Sequence, residues 1–323
     1  MIKHVKTLAA CLSALLLAGC AASPTHAPTT TRYHVAMIAK STSTEFWSAV
    51  FAGAEAAATE YNMDLTITGS ESEEDYSAQN DLIEKAVEEG AQAIIFSASD
   101  YQQNAAAIDA AADKGVRIVV VDSAVTSSKV SAYVGADNYG AGQMAAKSAL
   151  ENVEGPLHVG LVNYNVNSPN AQEREKGVID TLTASGRAEV AATVYSVATP
   201  ESARAETLTM LARHPEINVL ISFNEAVSVG AAQAVSDLNR ADDLWMVAFD
   251  SNIKTVDALH TGAVDAMVVQ NTYGMGYFSV ESAYKLLAGQ GNDVARETQT
   301  ATRIIDRSNI FALDGQKAVF PFE

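Results

Sequence analysis

The sequence predicts an α/β protein built from two doubly wound lobes, each with a parallel sheet and helices on both faces. The first observation is length: 323 residues exceed one typical domain and suit two of about 120–150 residues each. The second is that, from residue 33 onwards, short apolar β-type runs alternate with amphipathic helical stretches, which is the pattern of βαβ units. The third is that this rhythm restarts after Asn138, which indicates a second lobe.

The first series contains four strands and three helices. The first helix carries Trp47, Phe51, Ala54, Ala58 and Tyr61 on one stripe, and glycines stand where the next two helices should stop. In chain order the predicted bounds are strand His34–Ala39, helix Phe46–Tyr61, strand Met63–Thr68, helix Asp75–Glu89, strand Ala91–Phe96, helix Gln102–Lys114 and strand Val116–Val121.

The second series repeats the alternation with five strands and six helices. The apolar runs again have strand length, and the stretches between them are long enough to cross back over a parallel sheet. The predicted bounds are helix Ala141–Asn152, strand Leu157–Val162, helix Ala171–Ala184, strand Val190–Tyr195, helix Pro200–Arg213, strand Ile217–Ser222, helix Ala226–Leu238, strand Leu244–Phe249, helix Ile253–His260, strand Ala263–Val269 and helix Gly276–Ala288.

The N-terminal segment has the features of a secretory signal. Two lysines precede the apolar run Leu8–Gly19, which is too short to span a bilayer as a stable helix. The run ends in Leu-Ala-Gly-Cys, which resembles the lipobox of bacterial lipoproteins, so we expect a signal peptide over 1–19 and lipid on Cys20. Residues 20–32 then form a flexible tether rich in Ala, Pro and Thr. A plain signal peptide with an incidental cysteine is the alternative.

Composition narrows the function classes. The net charge of −18 repels nucleic-acid phosphates and anionic headgroups, so we expect no nucleic-acid partner. The cysteines are Cys11, in the segment to be removed, and Cys20. The mature chain should therefore contain no disulfide and depend on a large core for its stability.

Polar residues follow several predicted strands, where doubly wound sheets bind their ligands. Asp122 and Asp250 end two strands, and a carboxylate there accepts hydrogen bonds from two adjacent hydroxyls. Asn224 and Gln270 follow two others, and an amide both donates and accepts, which suits a hydroxyl group. In the next segments, Arg174 offers a guanidinium fork for two oxygens or for a site carboxylate.

Two adjacent aromatic residues, Phe46 and Trp47, open the first helix. Both could belong to the core, or one ring could stack on the C–H face of a sugar and shield its site from water. We favour stacking by one ring, which adds an apolar surface to the polar set at the strand ends.

These residues lie in segments that resemble the ribose/galactose class of periplasmic sugar-binding proteins, whose type I fold also forms the ligand domain of lac-repressor-like regulators. The likeness runs from about Tyr33 to Asp306 and is carried by TSTEFW with Gly53, VVVD at 119–122, VGADN at 134–138, NAQEREKG at 170–177, FNEAVSVGAAQA at 223–234, VAFDSN at 247–252 and Gln270-Asn271. The resemblance implies a sugar site lined by Phe46, Trp47, Asp122, Arg174, Asn224, Asp250 and Gln270.

The chain departs from the family pattern at two positions. Ribose binders usually carry Asn at the position of Thr44 and Arg at that of Ser123, and the missing arginine argues against ribose itself. The segment Ser168-Pro169-Asn170 replaces a His-Pro-Asp segment of galactose binders, so the resemblance adds Ser168 and Asn170 to the expected ligand-binding residues.

The resemblance also implies an architecture and a mechanism. Three hinge crossings, near Ala136, Gln270 and Thr302, would join an N-terminal lobe (33–136 and 271–302) to a C-terminal lobe (137–270 and 303–323). The lobes would close on a small polyhydroxylated ligand, a monosaccharide first, and the closed form would be recognised by the membrane permease of an ABC-type importer. We expect a monomer, lipid-anchored to the cell membrane in the periplasm or on the outer face of the cytoplasmic membrane, without cofactor, metal or catalytic residue. Nucleosides and furanosyl signalling molecules fit related clefts.

The sequence also bears on three other functions. A receptor that presents its ligand to a sensor kinase or chemoreceptor would use the same cleft. A glycosidase-like enzyme could employ Asp122 and Asp250 as an acid/base pair, but the chain lacks Gly-x-Ser-x-Gly, a Gly-x-Gly-x-x-Gly after its first strand, and histidines at metal-ligating spacing. A transcriptional repressor would need a basic helix-turn-helix, whereas residues 1–32 have the pattern of a signal and tether.

Overall fold

The computed structural model describes residues 32–320, which fold into two α/β lobes. The predicted signal peptide, Cys20 and the tether up to residue 31 lie outside the described residues, as do residues 321–323. Within the described part of the chain, no helix combines the length and apolarity needed to cross a membrane.

Each lobe contains one six-stranded sheet. The strands are β1 (His34–Ala39), β2 (Asp64–Gly69), β3 (Ala93–Phe96), β4 (Arg117–Val121), β5 (Ala132–Ala136), β6 (Leu157–Asn163), β7 (Ala188–Tyr195), β8 (Val219–Ser222), β9 (Trp245–Phe249), β10 (Ala266–Gln270), β11 (Glu297–Thr300) and β12 (Thr302–Asp306). The α-helices are α1 (Glu45–Glu60), α2 (Tyr76–Glu88), α3 (Ala105–Asp113), α4 (Asn138–Asn152), α5 (Pro169–Ser185), α6 (Pro200–Arg213), α7 (Glu225–Asp237), α8 (Ile253–Thr261), α9 (Thr272–Leu287) and α10 (Leu313–Val319).

The two sheets have the same strand order. The first runs β11-β5-β4-β3-β1-β2 and is parallel throughout, while the second runs β12-β10-β9-β8-β6-β7. In the second sheet β12 pairs antiparallel to β10, so the all-parallel expectation needs correction at this edge. The correspondence places β4 and β9 at equivalent positions, with the loops that follow them facing the space between the lobes.

The chain passes between the sheets three times, after β5, after β10 and between β11 and β12. In the last passage a single residue, Ala301, separates the two strands. Three adjacent segments of the chain therefore link the lobes, and such an arrangement permits hinge motion.

Burial explains why the central strands, such as β1, are uninterrupted apolar runs. Val35 and Met37 of β1 join the apolar cluster on one face of the first sheet, whereas Ala36 and Ile38 join the cluster on the other face. Both faces of the strand are thus covered by helices, which removes the polar alternation of a half-exposed strand.

Glycines allow the closest helix contacts in each lobe. A Cβ on Gly53 of α1 would overlap the carbonyl oxygen of Tyr273 in α9, and one on Gly177 of α5 would overlap that of Tyr139 in α4. A Cβ on Gly142 of α4 would overlap the carbonyl oxygen of Arg174 in α5. The α4–α5 contact therefore fixes the helix that carries Arg174.

The structure corrects several predicted elements. Strand β5, both edge strands β11 and β12, and α10 were absent from the prediction. Three helices begin two to four residues earlier than predicted, at Asn138, Pro169 and Thr272. For the first and third, the side chains of Asp137 and Asn271 cap the helix by accepting the backbone N–H three residues later, which extends the helix beyond its apolar stripe.

Candidate functional site

A narrow cavity of about 20 Å³ lies between the lobes at the carboxyl ends of the strands, where doubly wound sheets bind their ligands. Its wall includes nine of the eleven predicted ligand-binding residues: Thr44, Phe46, Trp47, Asp122, Asn170, Arg174, Asn224, Asp250 and Gln270. The other two, Ser123 and Ser168, lie outside this wall.

Asp122 and Asp250 follow β4 and β9 and occupy equivalent places in the two lobes. Each is 5% exposed, and each has a left-handed backbone with φ of 61° and 66°. Residues other than glycine rarely adopt this conformation, and it is concentrated at functional sites. The turns place both carboxylates on the cavity wall.

Asp122 lies in a network that joins the two lobes. Its carboxylate accepts hydrogen bonds from Ser97 Oγ at 3.2 Å and from Asn170 Nδ2 at 3.2 and 3.3 Å. The Nζ of Lys40 lies 3.8 Å from Asp122 Oδ2 and donates to the side chains of Ser168 at 3.0 Å and Asn170 at 3.3 Å. Burial lowers the pKa of Lys40, while the charge of Asp122 opposes that shift.

Asp250 has fewer protein partners than Asp122. Gln270 Nε2 donates to its Oδ1 at 2.6 Å. Burial raises the pKa of Asp250 to about 7, although the charge of Arg174 and the Gln270 hydrogen bond both act to lower it. This carboxyl group can therefore exchange a proton near neutral pH and is ready to accept further hydrogen bonds.

Arg174 is 2% exposed and is held from three sides. Its Nε donates to Asn138 Oδ1 at 2.9 Å, its Nη1 donates to the Phe223 carbonyl at 2.8 Å, and its Cζ lies 4.9 Å from the centroid of the Phe249 ring. Within residues 32–320, Nη2 of Arg174 and Oε1 of Gln270 are buried and have no hydrogen-bond partner. The cavity wall thus presents one free donor and one free acceptor.

Phe46 and Trp47 both line the cavity but differ in burial. Trp47 is 1% exposed, stacks on Phe51 at 6.0 Å and donates from Nε1 to Glu73 Oε1 at 3.2 Å. Phe46 is partly exposed and meets the Trp47 ring edge-on at 5.2 Å. Phe46 therefore has the freer ring for stacking on a ligand.

Thr44 and Asn224 start helices as well as lining the cavity. The Thr44 side chain accepts from the Trp47 N–H at 3.3 Å at the start of α1, and Asn224 Oδ1 accepts from the Val227 N–H at 2.9 Å at the start of α7. The Nδ2 of Asn224 donates to Glu73 Oε2 at 3.4 Å.

Ser123 and Ser168 lie next to residues of the cavity wall but do not line the cavity themselves. Ser123 is fully buried and its backbone N–H donates to Ser97 Oγ at 3.3 Å, which places it beside Asp122. Ser168 Oγ contacts both Lys40 Nζ and Asn170 Oδ1. The contacts of both residues are therefore with protein groups that surround the site.

Sequence reasoning missed four polar residues of the wall: Lys40, Glu73, Tyr164 and Glu225. Lys40 and Tyr164 directly follow β1 and β6, so the strand-end rule would have found them. Glu225 follows Asn224. Glu73 lies in an acidic segment after β2 that has the composition of a solvated loop. Among the described residues, no group of three or more His, Cys, Asp or Glu is arranged to hold a metal ion.

Comparison with known proteins matches residues 35–291 to the family described as periplasmic binding protein domain. Among curated proteins, the chain is 31% identical over 121 residues to a D-ribose/D-allose-binding protein of Pseudomonas aeruginosa, an alignment that covers 38% of each chain. The chain thus aligns with well under half of that relative's length.

Two solved structures cover most of the chain. A sugar transporter from Clostridium phytofermentans is 31% identical, has a TM-score of 0.77, and is matched over 85% of this chain and 100% of its own. A carbohydrate transporter solute binding protein from Agrobacterium radiobacter, solved with D-arabinose, is 22% identical, has a TM-score of 0.86, and is matched over 90% and 100% respectively. The second likeness shows the shared fold.

Proposed function

This chain belongs to the periplasmic binding protein domain family, and we propose that it captures a small polyhydroxylated molecule, a monosaccharide first, in the cavity between its lobes. The observation that carries the proposal is the pair of unpartnered buried atoms on the cavity wall, Arg174 Nη2 and Gln270 Oε1. A buried polar atom without a partner costs about 1–3 kcal/mol, which a ligand hydroxyl would recover.

The remaining wall chemistry supports the same ligand class. Asp122 and Asp250 supply acceptors from opposite lobes, and Asn224 supplies a donor. Phe46 offers a ring surface to the C–H face of a sugar. The D-ribose/D-allose-binding relative and the D-arabinose-bound neighbour make a monosaccharide the first candidate.

We further propose that Cys20 is lipidated outside the cytoplasm and that the closed form delivers its ligand to an ABC-type importer. The cross-lobe contacts of Lys40 and Asn170 support a closed form whose surface differs from that of an open one. A partner permease can distinguish the two states by that difference.

The test is thermal unfolding of the full-length chain in detergent with a panel of monosaccharides, nucleosides and polyols. A ligand at about 100 times its Kd should add roughly 2.7 kcal/mol of stability and raise Tm by several degrees. Asp122→Ala should weaken binding of the same ligand about 30-fold, which corresponds to about 2 kcal/mol. A folded chain that responds to no polyhydroxylated compound would refute the proposal.

A further inference from the structure

Six formally charged side chains line the cavity: Lys40, Glu73, Asp122, Arg174, Glu225 and Asp250. The carboxylates outnumber the cations by two. An enclosed excess of charge is costly unless each group has a partner, so the partners of the four carboxylates are informative about the ligand.

Three of the carboxylates have a close partner within the protein. Asp122 has Lys40 at 3.8 Å. Asp250 has no ion pair within 4.0 Å among residues 32–320, but it accepts a short hydrogen bond from Gln270 Nε2 at 2.6 Å, and the charge of Arg174 acts to lower its pKa against the effect of burial. Glu225 accepts the backbone N–H groups of Glu45 at 3.2 Å and Phe46 at 2.7 Å at the start of α1, together with Asn252 Nδ2 at 2.9 Å. The positive end of the helix dipole offsets the Glu225 charge.

Glu73 has neither an ion pair nor a short hydrogen bond among the described residues. Its oxygens accept long hydrogen bonds from two neutral donors, Trp47 Nε1 at 3.2 Å and Asn224 Nδ2 at 3.4 Å. Within residues 32–320, Glu73 has no ion pair within 4.0 Å. The charge of the nearby Lys40 acts to lower the pKa of Glu73, but the Lys40 Nζ donates to Ser168 and Asn170 and lies 3.8 Å from Asp122. Residue 73 as a whole is partly exposed, but its carboxyl group is enclosed, and burial raises its pKa.

We propose that the ligand carries a protonated amine that pairs with Glu73, which makes it an amino sugar or an amino cyclitol rather than a neutral polyol. This inference rests on the proposed function, since Arg174 Nη2 and Gln270 Oε1 would hold the hydroxyl groups of the same ligand. A charge-assisted hydrogen bond to an enclosed carboxylate is stronger than one between neutral groups. The net charge of −18 would also draw a small cation toward the protein.

The experiment compares matched pairs of sugars by isothermal titration calorimetry on the full-length chain in detergent. The pairs are D-glucose and D-glucosamine, D-galactose and D-galactosamine, and D-mannose and D-mannosamine, at a pH that keeps the amines protonated. In at least one pair the amine should bind about tenfold or more tightly than its hydroxyl counterpart, and the N-acetyl derivative should lose that advantage.

Two variants locate the effect. Glu73→Gln should lower affinity for the amine more than for the hydroxyl sugar, so that the ratio within the pair falls toward one. Glu74→Gln removes the same charge from the neighbouring residue, which does not line the cavity, and should leave the ratio unchanged.

The two proposals fail in different ways. If the neutral sugars bind as tightly as the amines, or if Glu73→Gln keeps the full preference, the amine inference is wrong and the proposed function stands. If a folded chain binds none of these compounds and nothing in the wider polyol panel, both are wrong.

Discussion

At the scale of the residue, Phe46 and Trp47 show how two adjacent aromatic side chains acquire different tasks. Trp47 is 1% exposed, packs in the apolar cluster of the first lobe and stacks on Phe51. Phe46 packs at the edge of that cluster and remains partly exposed. The first ring chiefly stabilises the fold, and the second is available to a ligand.

Replacing each ring with alanine should separate these roles. Trp47→Ala should lower the free energy of unfolding by about 3–5 kcal/mol, because it leaves a large void in a packed core. Phe46→Ala should lower stability less but weaken ligand binding by about 1–3 kcal/mol through lost stacking. Chemical denaturation and titration calorimetry measure the two quantities. Unchanged affinity in Phe46→Ala would remove this ring from the site.

Asp250 gives the site a dependence on pH. Burial raises its pKa from 3.8 to about 7, so between these values the folded ligand-free chain holds a proton that the unfolded chain releases. The contribution of this group to stability is therefore present at low pH and is lost as pH rises toward 7.

Asp250→Asn should reveal that contribution. The stability of the variant relative to the parent chain should increase between pH 4 and pH 7, by at most about 1.4 kcal/mol per pH unit. Urea denaturation at several pH values measures the difference. Asp242→Asn, at an exposed position, serves as the control and should show a flat difference. A flat difference for Asp250→Asn as well would contradict the proposed proton uptake.

At the scale of the element, two glutamates cap helices of the opposite lobe across the cleft. Glu225 of α7 accepts the first N–H groups of α1, and Glu45 of α1 accepts the first N–H of α8, at Ile253, at 3.2 Å. Each carboxylate faces the positive end of a helix dipole in the opposite lobe. Both contacts join the two lobes, so separating the lobes would break them.

Glu45→Gln tests the cap on α8 without altering the cavity wall. A charge at a helix N-terminus contributes about 0.3–1 kcal/mol, so affinity should fall about two- to fivefold and the ligand-free chain should open further. Calorimetry gives the affinity, and small-angle X-ray scattering gives the radius of gyration. Glu55→Gln changes an exposed residue of the same helix and should alter neither. Equal behaviour of the two variants would show that the cap does not favour closure.

The helices and strands that could be predicted are those whose pattern of apolar residues follows from which of their faces are buried. Strand β1 was predicted with its observed bounds because both of its faces are covered. Strand β11, with the sequence ETQT, and β12 have few buried residues, and they are strands because of the neighbours that they pair with. No apolar pattern marks such edge strands in the sequence.

The site could be predicted where its residues directly follow strands. Polar residues after strands converge in doubly wound folds, which brought Asp122 and Asp250 together on the cavity wall. Glu73 could not be found in this way, since an acidic loop and a ligand-facing carboxylate have the same local composition. Its contact with Asn224, which lies in the other lobe, depends on the closure of the two lobes.

At the scale of the whole molecule, the described structure holds the two lobes together through polar contacts rather than an apolar seam. Asn165 Nδ2 donates to the Ser99 carbonyl at 2.9 Å, and the Tyr101 N–H donates to the Asn167 carbonyl at 3.3 Å, beyond the cavity. Hydrogen bonds of this kind contribute modestly because water replaces them when they break. The lobes can therefore open without exposing core, and a ligand that bridges them can shift the balance toward closure.

Anchoring is a property of the whole molecule, and it rests on a sequence pattern that ends at Cys20, outside the described residues. If Cys20 is acylated, cells grown with labelled palmitate should label the wild-type chain and not Cys20→Ser. Mass spectrometry should find the lipid on a new N-terminal Cys20. The matched control is Cys11→Ser, which changes the other cysteine of the chain and should keep the label, since residue 11 lies in the segment to be removed. Label on Cys20→Ser, or an unmodified N-terminus elsewhere, would contradict the anchor.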